Sequence, residues 1–598
     1  MKKVLALLGI LLFATGCATA KSVPAPPRPL ADEAAAGVTD PALRDLLARE
    51  WDARMRASPT WATHLGDHRF DDRMDDVSPA GVAAARAERR DFLAEARALP
   101  VDRLEPADRM TLALFTETLA GELALAACAP ETWRVSAREN AITAWIALGE
   151  DLVIASRADA AHLLARYCAM PRAIDGASDN LRVGLAVGKT AAAESLRRTV
   201  LLLDGELAKP ARDWGLAVAA VHPHPGWTAD DEQTFAVAIT RAVDEGIRPA
   251  IRRYRDLLAD EILPRARAAE GLGAMPGGPA CYRALIRSNT TVDQTAEELH
   301  ALGRAEIARV DGELEELGDK VFGTRDLPAI LARLRGDPRL SFHDAGEIEA
   351  AARRALGAAK AKIPSFFGLL PRADCSVGRI PDYEAPYTTT GYYREANPDG
   401  SRPGIYMVNV YAPRTRPRYD AEVLAFHESI PGHHLQIAIA QELPQLPAFR
   451  RFGAWTAFVE GWALYSERLA DEMGLYSGDL DRMGMLSFDA WRGARLVVDT
   501  GIHAMGWTRA QAEQYLRDHT ALGENNIVNE VDRYIGDPAQ ALAYKVGELT
   551  IRALRADAEK RLGARFDLKA FHDVVLGGGA VTLAVLRERV EEWIKGRR

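Results

Sequence analysis

The chain has 598 residues, of which 48% are hydrophobic and 27% are charged, as is typical of a soluble globular protein. This length exceeds what one simple hydrophobic core fills, so we expect two large lobes or an elongated helical body. The formal charge is 75 − 84 = −9, which argues against a nucleic-acid partner.

The N-terminal segment is typical of a bacterial export signal. Two lysines precede an apolar run from Val4 to Phe13, and the letters ATG then lead to Cys17. The run is too short to serve as a spanning helix of the mature protein. Small residues directly before a cysteine resemble a lipobox, so we predict a lipoprotein signal peptide over 1–17 with lipidation of Cys17. An ordinary signal peptide cleaved near Ala18 or Ala20 is the alternative.

The proline-rich stretch over 18–35 predicts a flexible tether behind that cysteine. Ala18, rather than aspartate, follows Cys17, and this resembles the signal that directs lipoproteins to the outer membrane. We therefore expect an exported, periplasmic protein that a lipid anchors to the outer membrane.

Four further cysteines follow: Cys128, Cys168, Cys281 and Cys375. An exported chain can oxidise them, and pairing Cys128 with Cys168 and Cys281 with Cys375 is one of three connectivities. Free buried thiols are the alternative. None of the four forms a C-x-x-C pair, which argues against a cysteine metal site.

Amphipathic segments dominate the chain after the tether, and abundant alanine, leucine, arginine and glutamate favour helix. The periodicity predicts helices over 41–55, 79–98, 106–127, 158–170, 190–207, 230–262, 295–317 and 345–361. The glycine- and proline-rich stretch over 271–280 is the clearest interior break. It predicts an N-terminal helical lobe over 36–275 and a second, catalytic lobe over 276–598.

Residues 374–414 differ from the rest, because they are rich in tyrosine, threonine, glycine and proline. Within them Ile405–Tyr411 alternates, with Tyr406 on one face, and predicts a half-buried strand. Helices are expected to resume at Asp420. The fold class that these patterns predict is mainly α with a small strand-and-loop segment.

The stretch "FHESIPGHHLQ", from Phe426 to Gln436, resembles the zinc signature H-E-x-x-H with altered spacing. Histidines at i and i+4 lie about 6 Å apart on one helix face, and both reach one ion. Here the second histidine is His433 at i+6, about 240° round the helix, or His434 at i+7, about 10.5 Å along its axis. An unbroken helix therefore cannot bring either one to the same ion as His427.

Pro431 and Gly432 lie in the gap and supply a break. Proline cannot donate to the preceding turn and glycine accepts unusual dihedral angles, so the helix can bulge or overwind there. We favour His433 as the second ligand, because it needs the smaller correction; His434 then lies behind the ligands or faces the substrate. The alternative is a helix that ends at Ser429 with surface histidines beyond it.

The helix "WTAFVEGWALYSERLADE" offers a third ligand in Glu460, which lies among apolar residues. A buried carboxylate needs a cation or several donors. Zinc is one such cation, and Arg492 or Arg495 is the alternative. Glu467 lies seven residues on, on the same face, and is the rival ligand. In the same segment Gly461 leaves room for a close helix.

Arg495, Asp499 and His503 are successive i+4 neighbours and form one polar stripe on the helix that begins near Asp489. Asp499 could orient a ligand histidine, and His503 could steady the substrate. A buried salt bridge with a hydrogen-bonded histidine is the alternative.

A later segment over 524–548 brings Arg533, Tyr534, Tyr544 and Lys545 near each other. Metalloproteases often use a tyrosine or a histidine to donate a hydrogen bond to the oxyanion. Ordinary helix packing is the alternative reading of this segment.

Four blocks in this order, "HESIPGHHLQ", "EGWALYSE", "RLVVDTGIH" and "RYIGDPAQALAYKVGE", resemble the bacterial domain-of-unknown-function 885 family of gluzincin-like metallopeptidases. The resemblance implies one zinc ion on His427, His433 and Glu460, with Glu428 as general base. More distantly, the arrangement is similar to angiotensin-converting enzyme, thimet oligopeptidase and the third dipeptidyl peptidase. These relatives imply a large two-lobed helical zincin-like fold, with the strand segment beside the active-site cleft.

We therefore expect a zinc metallopeptidase of short peptides, acting as a carboxypeptidase, a dipeptidase or an oligopeptidase. A zinc-activated water would lose its proton to Glu428, and His503, Tyr534 or Tyr544 would donate to the oxyanion. A zinc hydrolase of non-peptide amides or cell-wall peptide stems, and a catalytically silent binding lipoprotein, are the alternatives.

Four residues are expected to bind the substrate. The strand Ile405–Tyr411, with Tyr406, would pair with an extended peptide. Arg495, Arg533 or Lys545 would receive a C-terminal carboxylate.

Overall fold

The computed structural model describes residues 33–597, except 139, 147, 151–153, 222, 382–384, 386–387 and 397–401. The expected signal peptide, the lipidation site Cys17 and nearly all of the tether lie outside these residues.

Helices account for 71% of the structure, which confirms the prediction of a mainly helical fold. The α-helices of the described residues are α1 (Pro41–Ala57), α2 (Pro59–His64), α3 (Pro79–Ala98), α4 (Pro106–Ala126), α5 (Ala141–Ile146), α6 (Arg157–Ala186), α7 (Ala193–Ala208), α8 (Ala229–Arg241), α9 (Arg248–Asp256), α10 (Gly278–Thr290), α11 (Ala296–Phe322), α12 (Leu327–Gly336), α13 (Ala345–Lys362), α14 (Asp420–Glu428), α15 (His433–Gln441), α16 (Ala448–Phe452), α17 (Thr456–Glu472), α18 (Asp479–Met505), α19 (Arg509–His519), α20 (Glu524–Gly536), α21 (Leu542–Leu562), α22 (Leu568–Leu576) and α23 (Leu583–Gly596).

Two predicted helices differ from those observed. The helix expected to stop at 170 continues through Pro171 as α6, because it buries Met170 before the proline and Ile174 and Leu181 after it. Tertiary packing of this kind outweighs the one backbone hydrogen bond that a proline removes. The helix predicted over 230–262 consists of α8 and α9, each followed by a six-residue π-helical segment.

The strand-and-loop segment forms one three-stranded sheet of the described residues: β1 (Cys375–Arg379), β2 (Gly391–Arg394) and β3 (Gly404–Val408). β3 lies in the middle, parallel to β1 and antiparallel to β2. The predicted strand Ile405–Tyr411 corresponds to β3. Its expected pairing with a peptide is wrong, because both edges of β3 are already paired; β1 and β2 are the edge strands of this sheet.

Two large apolar cores lie on either side of the glycine-rich break. Residues between 135 and 263 form one, and the other draws mainly on residues between 272 and 594. The division into lobes at 275/276 stays a prediction.

A disulfide joins the end of α4 to α10. Cys128 pairs with Cys281, whose Cα atom lies 5.0 Å away, and Cys375 is a buried free thiol. The structure therefore does not contain the example pairing of Cys128 with Cys168 and Cys281 with Cys375. Residues 153 positions apart in sequence meet there, and only tertiary packing sets such a pairing.

α17 and α21 pack against each other unusually closely. A Cβ atom built on Gly461 would lie 2.5 Å from the Cα atom of Gly547, and one built on Gly547 would lie 1.8 Å from the carbonyl oxygen of Ala457. Both glycines are thus required by the approach of the two backbones. This confirms the expectation that Gly461 makes room for a neighbouring helix.

We predict that Gly461→Ala lowers the free energy of unfolding by about 1–3 kcal/mol, because the added methyl group overpacks the contact between the helices. Urea unfolding followed by circular dichroism measures this. The matched control is Gly312→Ala in α11, where a Cβ atom would meet nothing within 4 Å. That variant should be neutral or stabilised by up to about 1 kcal/mol. Equal urea midpoints for the two variants would contradict the close-contact explanation.

Candidate metal centre

The helix that carries His427 is broken rather than bulged. α14 ends at Glu428, four residues follow without helical structure, and α15 begins at His433. The Ile430–Pro431 peptide bond in the gap is cis. The prediction of one bulged or overwound helix is therefore wrong, because two separate helices carry the histidines. The alternative, surface histidines beyond a helix that ends at Ser429, is wrong as well, since these histidines are buried.

Close backbone contacts hold the break in place. A Cβ atom at Gly432 would lie 2.0 Å from the carbonyl oxygen of His427, so only glycine fits against the last turn of α14. The carbonyl oxygen of Pro431 accepts hydrogen bonds from Trp462 Nε1 at 2.9 Å and Ser466 Oγ at 3.1 Å. α17 thereby fixes both the break and its own residue Glu460 relative to α14.

The break brings three potential metal ligands together. Glu460 Oε2 lies 3.3 Å from His433 Nε2 and 3.8 Å from His427 Nε2. The ligand atoms of the three residues all lie within 4.8 Å of one another. The spacing and the donor types are those of the site that the resemblance implied.

The three residues fit a zinc ion. Tetrahedral zinc with arms of about 2.0–2.1 Å requires ligand atoms about 3.4 Å apart, close to the spacing observed. Glu460 Oε2 is buried and accepts a well-aligned hydrogen bond from none of the described residues. A buried carboxylate oxygen that faces two imidazole nitrogens in this way is well placed to bind a cation.

Glu467, the rival ligand, instead orients His427. Its Oε1 lies 2.8 Å from His427 Nδ1, which leaves Nε2 of the same ring directed at Glu460. This is the carboxylate–histidine arrangement that supports metal ligands. Arg492, considered as a partner of Glu460, lies 3.9 Å from Glu467. The signal that could have shown this role is the seven-residue spacing, which puts both glutamates on one face of α17.

Asp499 does not orient a ligand histidine. It accepts hydrogen bonds from Tyr282 Oη at 2.5 Å and from the backbone N–H of Ala539 at 3.1 Å. Its carboxylate therefore joins α18 to α10 and to the loop before α21. The predicted role of Asp499 in orienting a ligand histidine is wrong.

Burial controls the charge states at the centre. It lowers the pKa of His427 well below its usual value, which keeps the ring neutral, the form that binds metals. Burial also raises the pKa of Glu428 to about 7, although His433 opposes this shift. For Glu460, burial raises the pKa, but His433, Arg533 and the Tyr544 hydroxyl together lower it below its usual value, so that this carboxyl is ionised.

His434 lies on the other side of α15, away from the ligands. Its Nδ1 is 3.0 Å from Tyr393 Oη, and its ring also bonds to the backbone of Ala373. A Cβ atom at Gly404 would lie 2.6 Å from this Nδ1, so the glycine makes room for the pair. The structure thus brings His433, not His434, to the centre, and His434 supports the sheet.

Tyr544 and Arg533 border the ligands. The Tyr544 ring stacks on His427 with centroids 6.3 Å apart, and its hydroxyl hydrogen-bonds to Glu460. Arg533 Nη2 donates to Tyr544 Oη at 3.0 Å and to Gln540 Oε1 at 2.7 Å. The predicted oxyanion donor Tyr544 is therefore held at the metal centre by an arginine.

Four other predicted site residues are buried within the fold. His503 uses both ring nitrogens, accepting from the N–H of Leu272 at 3.1 Å and bonding to the carbonyl oxygen of Tyr534 at 2.9 Å. Tyr534 Oη is bonded to Arg495 Nε at 3.2 Å. Lys545 has no exposed surface and pairs with Asp489. The structure therefore does not support substrate or oxyanion roles for His503, Tyr534, Arg495 or Lys545.

The physical reason is the same for each of the four: charged and hydrogen-bonding groups buried in a core bind one another rather than a ligand. Arg495 pairs with Glu530 at 2.9 Å. Tyr406, the remaining substrate candidate, is 1% exposed and packs beneath β2. Its predicted contact with substrate is likewise not supported.

A cleft of about 1720 Å³ opens between the N-terminal helices and the second half of the chain. Residues from α6, α7, β2 and α20 line it, among them Tyr393 and Arg533. The three candidate metal ligands are not among the lining residues. The centre therefore meets the cleft where Tyr393 and Arg533 border it.

We predict that His433→Ala loses bound zinc and that His434→Ala keeps it, since the first removes a ligand and the second a support of the sheet. Glu460→Ala should also lose zinc, while Glu428→Gln should retain one ion per chain. Metal analysis of the purified chains after zinc loading and dialysis measures this. Retention by His433→Ala together with loss by His434→Ala would contradict the assignment.

We further predict that Glu467→Gln weakens zinc affinity about 10- to 100-fold, because it replaces the carboxyl group that bonds to His427 Nδ1 and orients the ring. Competition with a chromophoric zinc chelator measures the affinity. Glu472→Gln is the matched control, as this residue lies on the same helix and pairs with Arg555 at the surface. Equal affinities for the two variants would exclude Glu467 as the orienting group.

Comparisons with known proteins agree with this architecture. The structure of a predicted lipoprotein from Colwellia psychrerythraea is 26% identical with a TM-score of 0.88, covering 93% of this chain and 99% of that one. A predicted lipoprotein of unknown function from Shewanella oneidensis is 20% identical with a TM-score of 0.68, covering 92% and 98%. A carboxypeptidase from Pyrococcus furiosus is 10% identical, and the match covers 93% of this chain and 100% of that one. Its TM-score of 0.39 is too low to support a conclusion about this chain. No protein with a curated description matches.

The family described as bacterial protein of unknown function (DUF885) matches residues 59–590, which is most of the chain. This confirms the resemblance noted in the four sequence blocks. The protein is a member of the DUF885 family.

Proposed function

We propose that the chain is a zinc-dependent metallopeptidase that hydrolyses short peptides. The observation that carries the proposal is the convergence of His427, His433 and Glu460, with Glu428 directly after His427 on α14. Held by these residues, zinc supplies a Lewis acid that polarises a carbonyl group and makes water more acidic.

Glu428 is placed to move the proton. It directly follows the ligand His427 on α14, and the backbone N–H of Tyr393 donates a hydrogen bond to its carboxylate. A carboxylate held this way accepts a proton from water as the water oxygen adds to the peptide carbonyl carbon. The C–N bond then breaks, and Glu428 passes the proton to the leaving amine. The products are one new carboxylate end and one new amino end.

Tyr544 is the oxyanion donor that the geometry supports. Its hydroxyl lies beside Glu460 and accepts a hydrogen bond from Arg533. Because Arg533 occupies one side of the oxygen, the hydroxyl proton of Tyr544 is directed toward the centre. Of the basic residues expected to receive a C-terminal carboxylate, Arg533 lines the cleft, whereas Arg495 and Lys545 are buried. Arg533 is therefore the group that draws a negative substrate group toward the centre.

The cleft and the sheet favour extended peptides. β2 lines the cleft, and its second edge is paired with none of the described residues. Such an edge hydrogen-bonds to an extended backbone. Helices and β2 together enclose the cleft, which suits short peptides better than folded proteins.

We also propose that the protein is exported and anchored through a lipid on Cys17, at the outer membrane. The sequence ending at Cys17 supports this, as do the two similar structures described as lipoproteins.

We predict that Glu428→Gln reduces peptide hydrolysis by about 10²- to 10⁴-fold while zinc stays bound, because the amide cannot take the proton. Mass spectrometry on a panel of short peptides and cell-wall muropeptides measures it. The matched control on α14 is Glu422→Gln, whose carboxylate bonds to Ser477 at the surface and should leave activity unchanged. If the zinc-loaded wild type cleaves neither peptides nor muropeptides, the proposal fails.

A further inference from the structure

The open edge of β2 has a defined set of outward-facing backbone groups. The N–H of Asn409 donates to the carbonyl oxygen of Thr390, and this is the first hydrogen bond of the ladder between β2 and β3. Hydrogen-bonded pairs alternate along an antiparallel ladder. The backbone groups of Gly391, Tyr393 and Glu395 therefore face away from β3. The bond from the Tyr393 N–H to Glu428 agrees with this phase. It occupies that donor, so that a peptide on this edge would use the carbonyl oxygen of Tyr393 and the backbone groups of Glu395.

Glu395 lies directly beyond β2, lines the cleft and belongs to none of the roles assigned above. Its Oε2 accepts a hydrogen bond from Gln441 Nε2 at 2.7 Å. Gln441 is the last residue of α15, the helix that begins with the ligand His433. The carboxylate is thus fixed by the same helix that carries the metal centre.

The strand places Glu395 at a set distance from the general base. Glu428 contacts the backbone of Tyr393, and Glu395 follows two residues later along the same edge. Two residues of extended chain span about 7 Å. A peptide lying on this edge with its scissile bond at Glu428 therefore has a position about two residues away that faces Glu395.

The surroundings of Glu395 leave it in need of a cation. Burial raises the pKa of Glu395, and His64 and the Gln441 hydrogen bond oppose that shift only in part. His433 and Arg402 also lie near enough to lower it. The described hydrogen bond to the carboxylate comes from the neutral amide of Gln441, and the residue lines the cleft.

Charge also selects the direction of the peptide. A peptide antiparallel to β2 runs from its amino end at Glu395 toward Glu428. A parallel peptide would instead place its carboxyl end against Glu395, where the two negative charges repel. Only the antiparallel orientation joins opposite charges at this point.

Resting on the proposed peptidase function, we propose that Glu395 binds a primary ammonium group of the substrate, the free amino end of a peptide that pairs with the open edge of β2. The enzyme then cleaves about two residues from that end and releases dipeptides. Glu395 is a specificity residue in this scheme, because it contacts the substrate away from the reacting atoms.

The test compares zinc-loaded wild type with Glu395→Gln, which keeps the shape of the side chain and its capacity to bond to Gln441. The substrates are a tetrapeptide with a free amino end, its N-acetylated form and an N-acetylated form with lysine at the first position. We expect wild type to prefer the free peptide about 10- to 100-fold in kcat/KM and to release its first two residues. Glu395→Gln should lose this preference and leave hydrolysis of the plain acetylated peptide unchanged.

The lysine peptide separates the two sources of ammonium. If it is cleaved as well as the free peptide and depends on Glu395, a side-chain ammonium also occupies the site. If it behaves like the plain acetylated peptide, the amino end alone does. Glu131→Gln on the opposite wall of the cleft, where Glu131 pairs with Arg86, is the matched control and should keep the wild-type preference.

Two outcomes overturn different statements. Equal cleavage of free and acetylated peptides by wild type, with equal effects of Glu395→Gln on both, would overturn the role of Glu395 and leave the peptidase intact. No cleavage of any peptide by zinc-loaded wild type would overturn the proposed function itself.

Discussion

The hydrogen bonds that α17 makes to the carbonyl oxygen of Pro431 are the interaction on which the metal centre depends. The break between α14 and α15 exposes backbone groups that a continuous helix would satisfy. Trp462 and Ser466 satisfy one of them and set the angle between the two helices. Because the same helix carries Glu460 and Glu467, one packing contact fixes the histidine spacing, the third ligand and the group that orients His427.

The close approach of α17 and α21 extends this arrangement into the core. It needs glycine at both contact points, and it brings Tyr544 over the ring of His427. Beneath it, Lys545 pairs with Asp489 and with Glu548, so that charges of α18 and α21 neutralise each other inside the core. Buried groups that must bind one another in this way are not available to a substrate. The groups left for chemistry are those at the border of the cleft.

The polar groups that line the cleft follow a fixed order. β2 forms one wall, and its outward-facing backbone groups run from Glu428 to Glu395. Glu395 lies at one end of this edge and Arg533 lies near the metal centre, so that a negative and a positive group follow each other along the cleft. The proposed substrate, an extended peptide, matches such an edge.

The sequence by itself determined the local elements and the candidate ligands. Apolar periodicity predicted α3 over its observed range, and the spacing around Pro431 indicated His433 rather than His434. Both features depend on residues within a few turns of each other. Only the tertiary structure decided that β3 is the central strand, that Glu467 holds His427, and that His503 and Lys545 are buried. These depend on contacts between segments far apart in the chain, and no local pattern specifies which segments meet.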